Sequence, residues 1–235
     1  MKKMKQFSVA GLLVVMVFAL SHGAAVAGMP RDYQDFKARF EKEARTEQGA
    51  VHLFFEAIYS YLNENTRADA SKMLRYMLYD AQPIERMHTR AVFVERMKKP
   101  SDHYIFRSYA VGATPENNYS MSPDNFELEF VRRQVDPNGD ITLYILNGGT
   151  DSPRPIQIRK YDGLWHIRGF SSIYTQVRAP KATVDARRRA IDADNDIEGQ
   201  WDTPAEVEDE PQYEESAGGF DFRDDADEIA DDVWK

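Results

Sequence analysis

Between Gly28 and Arg45 the side chains Tyr33, Phe36 and Phe40 recur at i, i+3 and i+7, the spacing of one helical face. Thr46 is placed to cap a second helix running to about Asn63, with Val51, Phe54, Phe55, Ile58 and Leu62 turned inward. Thr66-Arg-Ala-Asp69 reads as a capping box with Asp in place of Glu, and the helix after it puts Ala70, Met73, Leu74, Met77 and Leu78 on one side. A further helix is expected to begin at Pro83, bury Ile84, Met87, Ala91 and Val94, and stop before Pro100. After this point the apolar period shortens to two. His103–Val111, Asn125–Val135 and Asp140–Leu146 read as strands, the last two joined by the turn Asp136-Pro-Asn-Gly139. Pro155–Tyr161 and Leu164–Phe170 form a hairpin across Asp162-Gly163, and Ser172–Arg178 is a candidate extension of the sheet.

Helices followed by an antiparallel meander predict an α+β fold, with N-terminal helices packed on a C-terminal sheet of about four to six strands. By order of elements alone, a cone-like sheet of the nuclear transport factor 2 superfamily is one candidate.

The first residues carry Lys2, Lys3 and Lys5, then an apolar run from Val9 to Leu20, then Ala25-Val26-Ala27. A basic start, a short apolar run and an A-x-A site make a secretory signal cleaved before Gly28. The run is shorter than the roughly 20 residues that span a bilayer, so no transmembrane anchor is expected after cleavage. The chain has no cysteine, which removes both a lipidated-Cys anchor and a disulfide framework. Localisation is therefore expected to be periplasmic or secreted.

The net charge of −9 is unevenly spread. Residues 190–235 hold 18 acidic side chains and only Arg223 and Lys235 as bases, whereas residues 28–189 hold 21 acidic and 25 basic ones. The expected organisation is a signal peptide at 1–27, a helical lead-in at 28–45, an α+β domain at 46–182, and an acidic tail at 183–235. The tail's composition predicts disorder. Its Asp192-x-Asp194-x-Asp196 spacing suggests a calcium loop, but Ile197 and Thr203 stand where such a loop needs Gly and Glu. Phe220, Phe222 and Trp234 among the acids suit a docking peptide, for which self-docking on the basic domain or no role at all are the alternatives.

Three polar stretches stand out: Arg107-Ser-Tyr109-Ala-Val-Gly-Ala-Thr-Pro-Glu116-Asn117-Asn118-Tyr119, then Gly148-Gly-Thr-Asp151-Ser-Pro-Arg154-Pro-Ile, then Trp165 through Ser171-Ser172 to Val177-Arg178-Ala-Pro180. In this order they resemble an uncharacterised family of bacterial domains carrying R-S-Y-x-x-G-A-T-P-E-N-x-Y, D-S-P-R-P-I and W…S-S…V-R-x-P stretches. The resemblance spans roughly residues 46–180, departs at Thr150 where Ala is expected, and implies no assigned activity.

These residues allow two readings. In one, proline, Asx turns and Arg–carboxylate pairs simply lock the loops. In the other, the loops line a ligand site: Arg107, Arg154 and Arg178 offer forked donors, Tyr109, Tyr119 and Trp165 flat surface, and Glu116, Asn117, Asn118 and Asp151 polar contacts. No catalytic constellation is legible. The serine at 171 lacks the closing glycine of a nucleophile elbow, and His52, His88, His103 and His166 are scattered without metal spacing. No phosphate loop or dinucleotide fingerprint occurs, so no cofactor or metal is expected, and the export signal and acidic tail argue against nucleic acid. The leading expectation is a non-enzymatic periplasmic binding or interaction module acting on an envelope protein or cell-wall component. The alternative is a small periplasmic hydrolase or other enzyme acting on an envelope component.

Overall fold

The computed structural model describes residues 28–198, so the signal segment and the aromatic residues Phe220, Phe222 and Trp234 lie outside the described residues. The chain divides after Arg188, and the core belongs to the unit before it.

Helix α1 (Tyr33–Glu43) starts at Asp32, whose carboxylate accepts from Asp35 N–H at 2.8 Å, and buries Phe36 and Phe40. Helix α2 (Glu47–Leu62) starts as its sequence predicts, with Thr46 Oγ1 accepting from Gly49 N–H at 3.1 Å. Its middle is apolar on nearly every side, and buried residues run without a break from Leu53 to Tyr61. Such a helix has to be enclosed. It is the central element: Phe54 meets Phe93 and Phe170 edge-on or stacked, with ring centroids 6.3 and 5.0 Å away. Helix α3 (Arg67–Met77) turns Ala70, Met73, Leu74 and Met77 inward, as the periodicity requires.

Three expectations before the sheet fail for identifiable reasons. Thr66 does not cap α3; its hydroxyl donates to Ser60 O at 2.6 Å and closes the tight α2–α3 reversal, while Asp69 pairs with Lys72. The helix expected from Pro83 is two 3₁₀ turns, Ile84–Arg86 and His88–Arg90, followed by α4 (Ala91–Lys98). The break at Met87, with ψ 98°, resets the helical phase, so α4 buries Phe93, Val94 and Met97 and leaves Ala91 exposed. The strand expected at His103–Val111 is a short helix, α5 (Tyr104–Arg107), leading into turns. Ile105 and Phe106 are both buried, which adjacent residues of a strand cannot do on one face.

The sheet is a four-stranded antiparallel meander: β1 (Phe130–Val135), β2 (Ile141–Ile145), β3 (Arg154–Tyr161) and β4 (Leu164–Gly169), in that order. The architecture is α+β, with helices mostly N-terminal and the sheet C-terminal. Of Asn125–Val135 only the second half is a strand. Ser172–Arg178 adds none, because Ser171–Tyr174 folds as a 3₁₀ turn that buries Ile173 and Tyr174. Ile141, Leu143, Ile145, Ile156, Ile158 and Ile167 supply the sheet's share of the core. The other face is polar: Arg159 forks onto Asp140, and Asp136 accepts from both Thr142 and Gln157. Asp162 and Gly163 have φ of 48° and 85°, the paired positive values of a two-residue hairpin turn.

Helix α6 (Lys181–Glu198) reaches into the segment expected to lack structure. Its opening Lys-Ala-Thr-Val-Asp-Ala-Arg-Arg-Arg-Ala is rich in helix formers. The Asp192–Asp196 spacing therefore sits on a helix. No helix among the described residues is long and apolar enough to cross a membrane.

Candidate functional site

The three polar stretches come together at one end of the sheet, and they do so by bonding to one another. Asn117 organises the first turn: its amide oxygen accepts from Thr114 N–H at 2.9 Å, and its amide nitrogen donates to Gly112 O at 2.8 Å. Asn118 and Tyr119 both have φ of 55°, a left-handed conformation that Asn tolerates better than Tyr. Tyr119 is held there by full burial, by stacking on Tyr104, and by its hydroxyl, which donates to Arg178 O at 2.7 Å. Asn118 Oδ1 accepts from Ala182 N–H at 3.0 Å, and Pro115 O accepts from Lys181 N–H at 2.8 Å, so the first loop seats the start of α6.

The second loop is tied to both others. Gly148 N–H donates to Ser108 O, and Gly149 O accepts from Arg178 N–H, each at 2.9 Å. Asn147 is buried; its amide nitrogen donates to Ser108 Oγ, and its oxygen accepts from Gly149 N–H at 2.7 Å. Gly148 lies so close to Ala113 O, and Gly149 so close to the Tyr119 hydroxyl and Val177, that neither leaves space for a Cβ. Arg178 pairs with Asp151 at 2.9 Å, an exposed bridge that contributes little to stability.

Arg154 is half-buried, and its Nη2 donates to Thr175 O at 3.5 Å and Gln176 O at 3.4 Å. Its Nε and the hydroxyl of the buried Tyr109 have no hydrogen-bond partner. Burial pushes the Tyr109 phenol well above its ordinary pKa. Glu116 is exposed on its turn, where a backbone N–H bond holds its carboxyl below the usual value. Arg107 is exposed as well.

Trp165 is not part of this cluster. It pairs with Lys160 near the tip of the β3–β4 hairpin, whereas Arg154 opens β3 at its opposite end. Its backbone N–H donates to Ala44 O at 2.8 Å, and Lys160 lies over its ring at 5.4 Å. Nine of the ten expected residues lie in the loop cluster, but Tyr109 and Tyr119 are buried within it and offer no flat surface to a ligand, and the tryptophan lies apart, with its backbone bonded to the end of α1.

A second polar cluster escapes notice in the sequence. Arg39 donates to Glu43 and, at 2.7 Å, to the buried Glu56. His52 sets Nδ1 against Glu56 Oε1 and Nε2 against Phe126 O, both at 3.2 Å, with its ring stacked 4.3 Å from that of Phe126. Both ring nitrogens face acceptors, an arrangement that the doubly protonated imidazolium satisfies. The only advance signals were the i, i+4 spacings Arg39–Glu43 and His52–Glu56.

Burial pulls the His52 pKa down, but the bond and charge of Glu56 and the Phe126 carbonyl outweigh this, so it lies above the usual histidine value. A raised folded pKa means that the stabilisation is complete below the unfolded value of about 6.5 and fades as pH rises through the folded one. His52→Gln should therefore lose more stability relative to wild type at pH 5.5 than at pH 9, as measured by urea unfolding. An equal loss at both values would refute the charged imidazolium.

Among the described residues, no group of three or more His, Asp or Glu is placed to hold a metal ion. The family model of a domain of unknown function, DUF6935, matches residues 28–181. The chain belongs to this family. The DUF6935 span opens at the Gly28 end of the α1 segment and closes at Lys181, so it takes in all three interlocked loops and the Arg39–Glu56–His52 cluster. No curated protein and no solved structure matches the chain.

Proposed function

We propose that the protein is exported by its N-terminal signal and acts in the envelope as a non-enzymatic binding module. The loop end of the DUF6935 domain is its contact surface. The observation that carries this reading is the mutual locking of the three loops. Their buried polar atoms are largely spent on each other, while Arg107, Glu116, Asp151 and Arg178 stay exposed. A surface fixed in advance loses little entropy when a partner docks. An enzymatic reading wants Glu116 and Arg154 around one open cleft; Glu116 instead points outward, and the Arg154 guanidinium is engaged by the Thr175 and Gln176 carbonyls. The partner class is an envelope protein or cell-wall component, with Phe220, Phe222 and Trp234 of the acidic tail as a second point of contact.

The test is site-specific photocrosslinking in cells from positions 107, 116 and 178, with Lys72 on α3 as the control position. A discrete adduct from the loop positions and none from position 72 supports the reading. No adduct, or the same adducts from both faces, would overturn it. Cosedimentation with purified cell-wall sacculi separates glycan from protein, and truncation after Glu198 tests the tail.

A further inference from the structure

We propose that removal of the signal after Ala27 converts Gly28 into a charged amine that Asp124 holds, so that processing adds a clamp between the chain start and the segment before β1. This rests on the export reading above. Gly28 N–H donates to Asp124 O at 3.1 Å, and Met29 N–H donates to Asp124 Oδ1 at 3.3 Å. The Gly28 carbonyl is held from the other side by Arg39 Nη1 at 3.1 Å. Two residues beyond Asp124, the Phe126 carbonyl faces His52 on α2. Residue 28 is thus seated on both sides by side chains and backbone far away in sequence.

Three independent features meet at this residue. The A-x-A site ends at Ala27, the DUF6935 match opens at 28, and the Gly28 nitrogen already faces an acidic residue. In the uncut chain that nitrogen is a neutral amide with one proton, and Gly28 has φ of 106°, a conformation that favours glycine. A membrane peptidase hydrolyses the Ala27–Gly28 bond with one water: the hydroxyl completes the Ala27 carboxyl and the hydrogen goes to the Gly28 nitrogen. At neutral pH that nitrogen takes up one further proton and becomes an ammonium. One proton keeps the bond to Asp124 O, and the Asp124 carboxylate, which already accepts from the adjacent Met29 N–H, is the acceptor assigned to the others, a charge-assisted contact the precursor lacks. The other nearby cation, Arg39, is already matched by Glu43 and Glu56.

The experiment has two arms. Intact-mass analysis of the exported protein should find a chain that begins at Gly28; any other start removes the amine from this position, overturning both the proposal and the cleavage position. Thermal unfolding of chains 28–235 and 26–235, each with Asp124 and with Asp124→Asn, then tests the clamp. The substitution should lower Tm by about 2–4 °C in the chain that starts at Gly28, a typical shift for one modest interaction in a chain of this size, and by about a third of that or less in the extended chain. Equal shifts in the two chains would overturn the clamp while leaving export untouched.

Discussion

Glu56→Ala is expected to destabilise the fold by about 3 kcal/mol, the lower end for breaking a buried ion pair, because His52 loses its counter-charge while Arg39 keeps Glu43. Glu56 is 2 % exposed and Arg39 8 %, so solvent screens neither. One carboxylate oxygen receives both Arg39 Nη2 and His52 Nδ1, so removal leaves His52 without its counter-charge and Arg39 with Glu43 alone. The loss also releases Phe126, since His52 no longer has a counter-charge to hold it in place. At this chain length the effect corresponds to a fall in Tm on the order of 10 °C. Urea unfolding measures it. The companion double variant Arg39→Met/Glu56→Leu should recover only part of the loss, because it removes the Arg39 charge but still leaves His52 without its counter-charge. If the single variant loses less than about 1 kcal/mol, the network carries no such burden.

The second large effect is Gly148→Ala, expected to cost about 3 kcal/mol, at the upper end of ordinary overpacking penalties. The added methyl would overlap the Ala113 carbonyl oxygen, a backbone atom with no rotamer to escape into. Relief requires the first two loops to part, which breaks the Gly148–Ser108 bond and disturbs Asn147. Gly112→Ala is the informative contrast. Open space surrounds that position, so only its φ of 82° penalises a side chain, and the cost should stay near 1–2 kcal/mol. Chemical denaturation ranks the two, and limited proteolysis should cut the 112–119 loop faster in Gly148→Ala alone. A reversed ranking would mean that the loops are not mutually locked.

Much of this fold is legible in the residues. Thr46 capping α2, the inward stripe of α3 and the Asp162-Gly163 hairpin each depend on chemistry confined to a few neighbouring positions. The failures are of a different kind. Thr66 reads as a cap but serves Ser60 across a chain reversal, and Met87 breaks a helix whose two halves look continuous in composition. His103–Val111 alternates well enough for a strand, yet Ile105 and Phe106 are both drawn into the core, where the Phe106 ring meets Phe93 and its carbonyl accepts from Tyr59 of α2. For Thr66 and for Ile105 and Phe106, a neighbour beyond the local window outweighs local preference. The site divides in the same way. The turn-forming Asn117, Asn118 and Gly148 advertise themselves, whereas the separation of Trp165 from the loops follows from strand register, which no short motif encodes. The Arg39–Glu56–His52 cluster was hidden because its members lie on two helices and answer to a carbonyl 74 positions away.

The shared bonding of the three loops also bears on how this protein is best altered. Since each loop supplies backbone partners to the next, exchanging one for a foreign sequence removes acceptors from its neighbours; they behave as a single part. The hairpin tip at Asp162-Gly163 is the opposite case, with open space where a side chain on Gly163 would begin. A fluorescent reporter or affinity handle belongs there, at the far end of β3 from the surface it would be used to study.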